Sequence, residues 1–114
     1  TNVVYTSVEI DVPAAGSGLT NAHGLGSMPN LVRVVLVCKT GEYGYVAGDE
    51  LDAVNVAVYN FANAAFSISA NGTDIMIQRS NDDYLLVPSR TTTLGSQVDL
   101  SEDKWKIKIY AWKL

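Results

Sequence analysis

The amino-acid sequence predicts an all-β domain, an antiparallel β-sandwich of about six to eight strands with a closed barrel as the alternative, and three observations point that way. Hydrophobic residues recur with a period of two, not 3.6, over most of the chain. The alternating runs are short and separated by connections rich in glycine and asparagine. At 114 residues, with 47% hydrophobic and 18% charged, the chain has the composition of one globular domain, residues 1–114, with one core.

The first strand is predicted over residues 4–12, where Val4, Thr6, Val8, Ile10 and Val12 alternate with Tyr5, Ser7, Glu9 and Asp11. Residues 13–29 hold four glycines with Ser, Asn and His, and read as a long structured loop, a kind of segment that is often functional. Residues 31–39 form a strand that is apolar on both faces, with Val32, Val34, Leu36 and Cys38 on one side and Leu31, Val35 and Val37 on the other. A second sheet covers only one face of a sandwich strand, so the other face calls for a loop, a ligand or a neighbouring subunit. The two-faced strand therefore predicts oligomerisation.

Beyond a turn-rich stretch at 41–49, Val54, Val56 and Val58 alternate with Asn55, Ala57 and Tyr59 and predict a strand. The alternative is a helix over 49–65, capped by Asp49 with Leu51, Val54, Val58, Ala62 and Ala65 on one face, which three valines and several asparagines disfavour. Phe66, Ile68 and Ala70 alternate up to Asn71-Gly72, and Ile75 and Ile77 continue as the partner of a hairpin. Leu85-Leu86-Val87 predicts a short strand stopped by Pro88 within the less regular stretch 84–94, and residues 101–104 a single capped helical turn. The closing strand is the clearest, with Trp105, Ile107, Ile109 and Ala111 inward and Lys106, Lys108, Tyr110 and Trp112 outward. Pairing of the first and last strands at the centre of one sheet completes the expected topology.

Composition narrows the function classes. A formal charge of −4 and the lack of a basic stripe argue against nucleic acid as a partner, and the hydrophobic runs are too interrupted for membrane insertion. Cys38 is the single cysteine, so an intramolecular disulfide and a thiolate metal cluster are both excluded, and its apolar setting reads as buried filler. Residues 1–4 lack the basic start and apolar core of a secretion signal, and Thr1 is compatible with removal of an initiator Met.

No catalytic constellation is expected, and the chain reads as non-enzymatic. His23 is the only histidine and no Gly-x-Ser-x-Gly elbow accompanies it, so it reads as a loop-structuring residue together with Gly24, Gly26 and Pro29. Three copies of His23 around a threefold axis are the alternative, as a shared metal site. Asp49-Glu50-Leu51-Asp52 and Asn81-Asp82-Asp83 lack the spacing of a calcium loop and read as solvated turn carboxylates, so no metal is expected. Gly24-Leu25-Gly26 lacks the rest of a phosphate fingerprint, and no cofactor is expected. Tyr43 and Tyr45, with Asp49, are the candidate ligand-binding residues, because flat aromatic faces framed by polar groups grip sugar rings. Leu31, Val35, Val37, Tyr110 and Trp112 are the candidate oligomer interface.

The run Ala22-His23-Gly24-Leu25-Gly26-Ser27-Met28-Pro29-Asn30-Leu31-Val32-Arg33-Val34, then Gly44-Tyr45-Val46-Ala47-Gly48-Asp49, then Trp105-Lys106-Ile107-Lys108, resembles a small module of tailed-bacteriophage virion proteins. The layout of opening strand, Pro-led central strand and Trp-led closing strand is also similar in architecture to H-type lectins. The resemblance implies a homotrimeric β-sandwich on a virion surface, in contact with other virion proteins. Its use there would be at a tail-fibre or tailspike tip touching host cell-surface carbohydrate, or on the capsid as a stabilising decoration. A soluble H-type-like lectin is a further alternative. A domain cut from a longer fibre and a freestanding protein would look the same.

Overall fold

A computed structural model describes residues 3–59, 63–91 and 95–114. Thr1, Asn2, Ala62 of the alternative helical face and Leu94 lie outside the described residues. The fold is all-β and antiparallel, compatible with a β-sandwich. Its strands are β1 (Val3–Thr6), β2 (Ile10–Asp11), β3 (Gly18–Ala22), β4 (Leu31–Cys38), β5 (Glu50–Asp52), β6 (Phe66–Ala70), β7 (Asp74–Arg79), β8 (Leu86–Pro88), β9 (Gln97–Asp99) and β10 (Trp105–Lys113). Short 3-10 turns span Ala53–Asn55 and Glu102–Lys104.

One sheet runs β1-β10-β4-β5, with β2 also on β10; a second runs β3-β7-β6; β8 and β9 pair as a small third sheet. The closing strand therefore lies inside the first sheet, and the opening strand lies at its edge rather than its centre. Val34, Leu36, Cys38, Trp105, Ile107, Ile109 and Ala111 from the first sheet pack into one core with Phe66, Ile75 and Ile77 of the second and with Val56, Val58, Leu85 and Val87. Burial raises the Cys38 thiol above its ordinary pKa, in keeping with a core position.

The predicted first strand breaks in two, and the break changes which residues share a face. Thr6 sits opposite Tyr110 but Ile10 sits opposite Ile107, so the opening segment carries one residue more than its partner over the same span. This is a β-bulge. Ser7 makes it possible: its buried hydroxyl accepts from the Ile109 N–H at 2.8 Å, while its own N–H donates to the Ile109 carbonyl at 2.9 Å. Before the bulge Val4 and Thr6 face outward beside Trp112 and Tyr110; after it Ile10 faces the core beside Ile107. Val8, at the bulge, is 78% exposed. A period-two pattern read straight through from 4 to 12 cannot register this slip.

Three other elements differ from expectation. The long loop contains β3, whose Gly-Leu-Thr-Asn-Ala sequence has only Leu19 as a large inward residue and so carries almost no alternation signal. Strand β5 ends before the expected strand at 54–59, which is replaced by a 3-10 turn that leaves Val54 exposed and by isolated bridges from Ala57 to Ala64 and Leu86. Strand β9 is short and polar, and pairs with β8 through Pro88, its last residue. The β6–β7 hairpin forms in register, its turn fastened by Asn71 Oδ1 accepting from the Thr73 and Asp74 N–H groups at 2.9 and 2.7 Å.

Candidate functional site

The outer face of the first sheet contains all five candidate interface residues, and the structure divides them into two groups. At one end Val35 and Val37 are 0% and 5% exposed within the single chain. Val35 lies between Lys108 and Asp52 on the flanking strands, and Val37 between Lys106 and Glu50. These long neighbours form a roof. Tyr110, placed opposite Arg33, donates its hydroxyl to Glu50 Oε2 at 2.7 Å, and Glu50 stands opposite Val37, so the phenol ring crosses β4 above Val35. Arg33 Nε donates to Asp52 Oδ1 at 2.7 Å, which raises the guanidinium above its ordinary pKa. Lys106 pairs with Asp11 and holds that carboxyl below the usual carboxylate range. Val35 and Val37 thus offer no surface to a partner, because aliphatic stems and one phenol ring of the same chain already exclude water from them.

The other end of the same face is open. Val4, Trp112 and Leu31 sit directly opposite one another on β1, β10 and β4 and form one cross-strand row. Val4 is 54% and Leu31 55% exposed, and Trp112 is half-buried with its ring stacked on Tyr110 at 6.1 Å between centroids. No charged side chain stands in this row. Round the edge of β4, a largely apolar cleft of about 440 Å³ is lined by Met28, Val32, Val34, Val54 and Ile68, with Arg33 and Asp52 also in its wall.

The three candidate ligand residues do not converge on one surface. Tyr45 is buried, edge-on to Trp105 at 5.4 Å, with its hydroxyl donating to the Pro88 carbonyl at 2.8 Å and its phenol pKa raised by burial. Asp49 accepts from the Val46 N–H at 2.9 Å and from Arg90 at 2.5 Å, so it closes its own turn. Tyr43 is exposed at the tip of a two-residue turn, with φ of 53° at Tyr43 and 86° at Gly44. A side chain at Gly44 would meet the Arg90 backbone at 2.6 Å, so glycine is required there. The tip is anchored by Arg90 N–H donating to the Tyr43 carbonyl at 2.8 Å.

His23 is buried, with Nε2 donating to the Asn71 carbonyl at 2.9 Å and Nδ1 accepting from the Leu25 N–H at 3.0 Å. Both ring nitrogens are engaged inside the chain, which leaves none for a metal shared around a threefold axis. Gly24 and Gly26 take φ of 64° and 81°, a conformation glycine adopts at little cost, and Pro29 is buried. The first acidic cluster is paired rather than simply solvated, Asp49 to Arg90 and Glu50 and Asp52 to Arg33, whereas in the second Asp82 accepts from the Tyr84 N–H of its own turn at 3.0 Å. Among the described residues no group of three or more His, Cys, Asp or Glu comes together as a metal cluster.

Two buried charged side chains that tie the fold together have no place in the sequence reading. Glu42 carries a carboxylate only 6% exposed that accepts from the Ser101 N–H, the Ser101 hydroxyl and Trp105 Nε1 at 2.8–2.9 Å, tying the 42–45 turn to the start of β10. Nothing in its spacing marks it. Arg79 is fully buried, donating to the Pro13 carbonyl at 2.8 Å, the Asp83 carbonyl at 3.1 Å and Glu102 at 2.5 Å. Its signal was present, since Ile75, Ile77 and Arg79 continue one inward alternation and a charge at an inward position calls for partners.

Compared with known proteins, no family model, no curated protein and no solved structure matches the chain.

Proposed function

We propose that the chain is a non-enzymatic structural module of a bacteriophage virion, which trimerises through the open row Val4–Trp112–Leu31 and serves host-surface attachment of the tail-fibre or tailspike type. The observation that carries the assembly half of this reading is the row itself, three apolar side chains aligned across three strands on a face otherwise roofed by charge. Trp is enriched at protein contacts because it combines a large apolar area with few rotatable bonds. The virion half rests on the motif resemblance of residues 22–34, 44–49 and 105–108.

The test is copy number and target. Quantitative gels of purified particles and binding of the isolated protein to host cells separate the uses: a few trimers per particle with cell binding support attachment. Many copies per particle with binding to empty shells would replace it with capsid decoration. Sugar binding by a protein found on no particle would replace it with a soluble lectin.

A further inference from the structure

The aromatic residues singled out for ligand binding are not the ones the fold exposes as a pair. Tyr59 and Tyr84 are 57% and 42% exposed, with ring centroids 5.5 Å apart and planes tilted by 35°. Their pairing follows from the backbone. Ala57 and Leu86 exchange both N–H···O bonds, at 3.0 and 2.8 Å, so Tyr59 and Tyr84 stand two residues further along the two segments, on the same face. The opposite face of these segments carries Val56, Val58, Leu85 and Val87, all buried in the core, which forces the tyrosines outward. On that outward face Leu86 is half-buried beside Ala57, the exposed Asp99 stands across from it on β9, and the exposed Gln97 lies two residues further along, opposite Pro88.

We propose that this strip is a binding site for an uncharged pyranose sugar, with Tyr59 and Tyr84 as the stacking platform, Leu86 as its floor and Asp99 and Gln97 as acceptors and donors for sugar hydroxyls. Two adjacent aromatic faces suit the axial C–H groups of a pyranose, which is flat and apolar on its faces and polar round its rim. The rim matches. Asp99 uses one carboxylate oxygen to accept from the Leu85 N–H at 2.9 Å and has a second to offer, and Gln97 adds an exposed amide on the same side of β9. A dry protein contact would strand these polar groups, whereas a ring of hydroxyls satisfies them. Charge sets the class of sugar. The charged side chains nearest Tyr84 and Leu86 in chain and register, Asp82, Asp83 and Asp99, are acidic, while Arg79 is paired with Glu102 and Arg90, beyond Pro88, with Asp49, so sialylated, uronic or sulfated glycans are disfavoured.

This inference rests on the attachment reading, for which it names the ligand class, but its test needs only the isolated chain. Saturation-transfer NMR with lactose, maltotriose and chitotriose, and with 3′-sialyllactose as the acidic counterpart of lactose, reads binding directly. The expected result is transfer to at least one neutral sugar and weaker transfer to sialyllactose than to lactose. Tyr84→Ala and Tyr59→Ala each weaken the neutral sugar by about tenfold or more, and Tyr84→Phe stays within about twofold of the parent. Far-UV circular dichroism of each variant separates lost binding from lost folding. No transfer from any neutral probe, or binding that survives both alanine variants in folded protein, overturns the site. Sugar binding without cell attachment by particles removes the attachment reading alone, and particle association without sugar binding removes this one alone.

Discussion

The two ends of one sheet face differ in a way that composition does not announce. Val35 and Val37 at one end, and Val4 and Leu31 at the other, are aliphatic residues on the same outward side of the same sheet. The first pair is sealed and the second is open. The difference lies in the flanking strands, where Glu50, Asp52, Lys106 and Lys108 bracket the first pair, while β1 and the end of β10 bring Val4 and Trp112 beside Leu31. Whether an apolar outward residue needs a partner is decided by its cross-strand neighbours rather than by the strand it belongs to.

The largest effect that would break this contrast comes from a charge at the sealed end. Val35→Asp puts a carboxylate in a fully buried valine site, where it loses its water and faces Asp52 on one side as well as Lys108 on the other, and should cost on the order of 3–5 kcal/mol, enough to remove most of the stability of a small domain. Loss of the cooperative thermal transition is the expected readout. Leu31→Asp, at the open end, should change chain stability by no more than about 0.5 kcal/mol. If Val35→Asp instead melted like the parent, the roof would not be excluding water.

Ile107→Ala, beneath the roof on the core side, should lower stability by about 2–5 kcal/mol through the cavity it leaves, measured by urea denaturation. Glu42→Ala should cost about 1–3 kcal/mol, because Trp105 Nε1 and the Ser101 N–H lose their acceptor in a nearly closed site. A change below the error of the melt would mean that water replaces the carboxylate there. Tyr110→Phe removes only the bond to Glu50 and should cost about 0.5–1.5 kcal/mol, with the ring still covering Val35.

The smallest effect is one of pH. Burial raises Cys38 and Tyr45 above their ordinary values of 9.0 and 10.0, so the folded state holds these protons more tightly than the unfolded chain does. Their contribution is fully present below pH 9.0 and is lost as pH rises through the raised folded values. Melting temperature should therefore decline on the alkaline side, and Cys38→Ala should flatten the onset of that decline. On the acid side Asp11, held low by Lys106, works in the opposite sense, its pairing being lost as pH falls below its ordinary 3.8, and its full exposure keeps that effect slight.

Much of the fold is legible in the residues, and what is not has physical reasons. The closing strand and the β6–β7 hairpin declare themselves because each buries one alternating set of large side chains, and the central strand because it carries an unbroken apolar run buried on both faces. Strands β3 and β9 do not, since Gly18–Ala22 and Gln97–Asp99 owe their conformation to the ladders of β7 and β8 rather than to their own pattern. The bulge at Ser7 rests on one hydroxyl replacing a ladder bond, which no periodicity reports. The candidate site was half legible. Leu31, Tyr110 and Trp112 are apolar or aromatic and outward, as their alternation says, whereas the cover over Val35 and Val37 depends on which residues of β5 and β10 stand beside β4, a matter of register between distant segments. The same holds for Tyr59 and Tyr84, which meet only because Ala57 pairs with Leu86.

Native mass, measured by light scattering or native mass spectrometry on the parent chain and on Leu31→Asp, tests the central claim most directly. A trimer that Leu31→Asp converts to folded monomers is the predicted result. A parent chain that runs as a monomer, or a trimer that Leu31→Asp leaves intact, would contradict assembly through the open row.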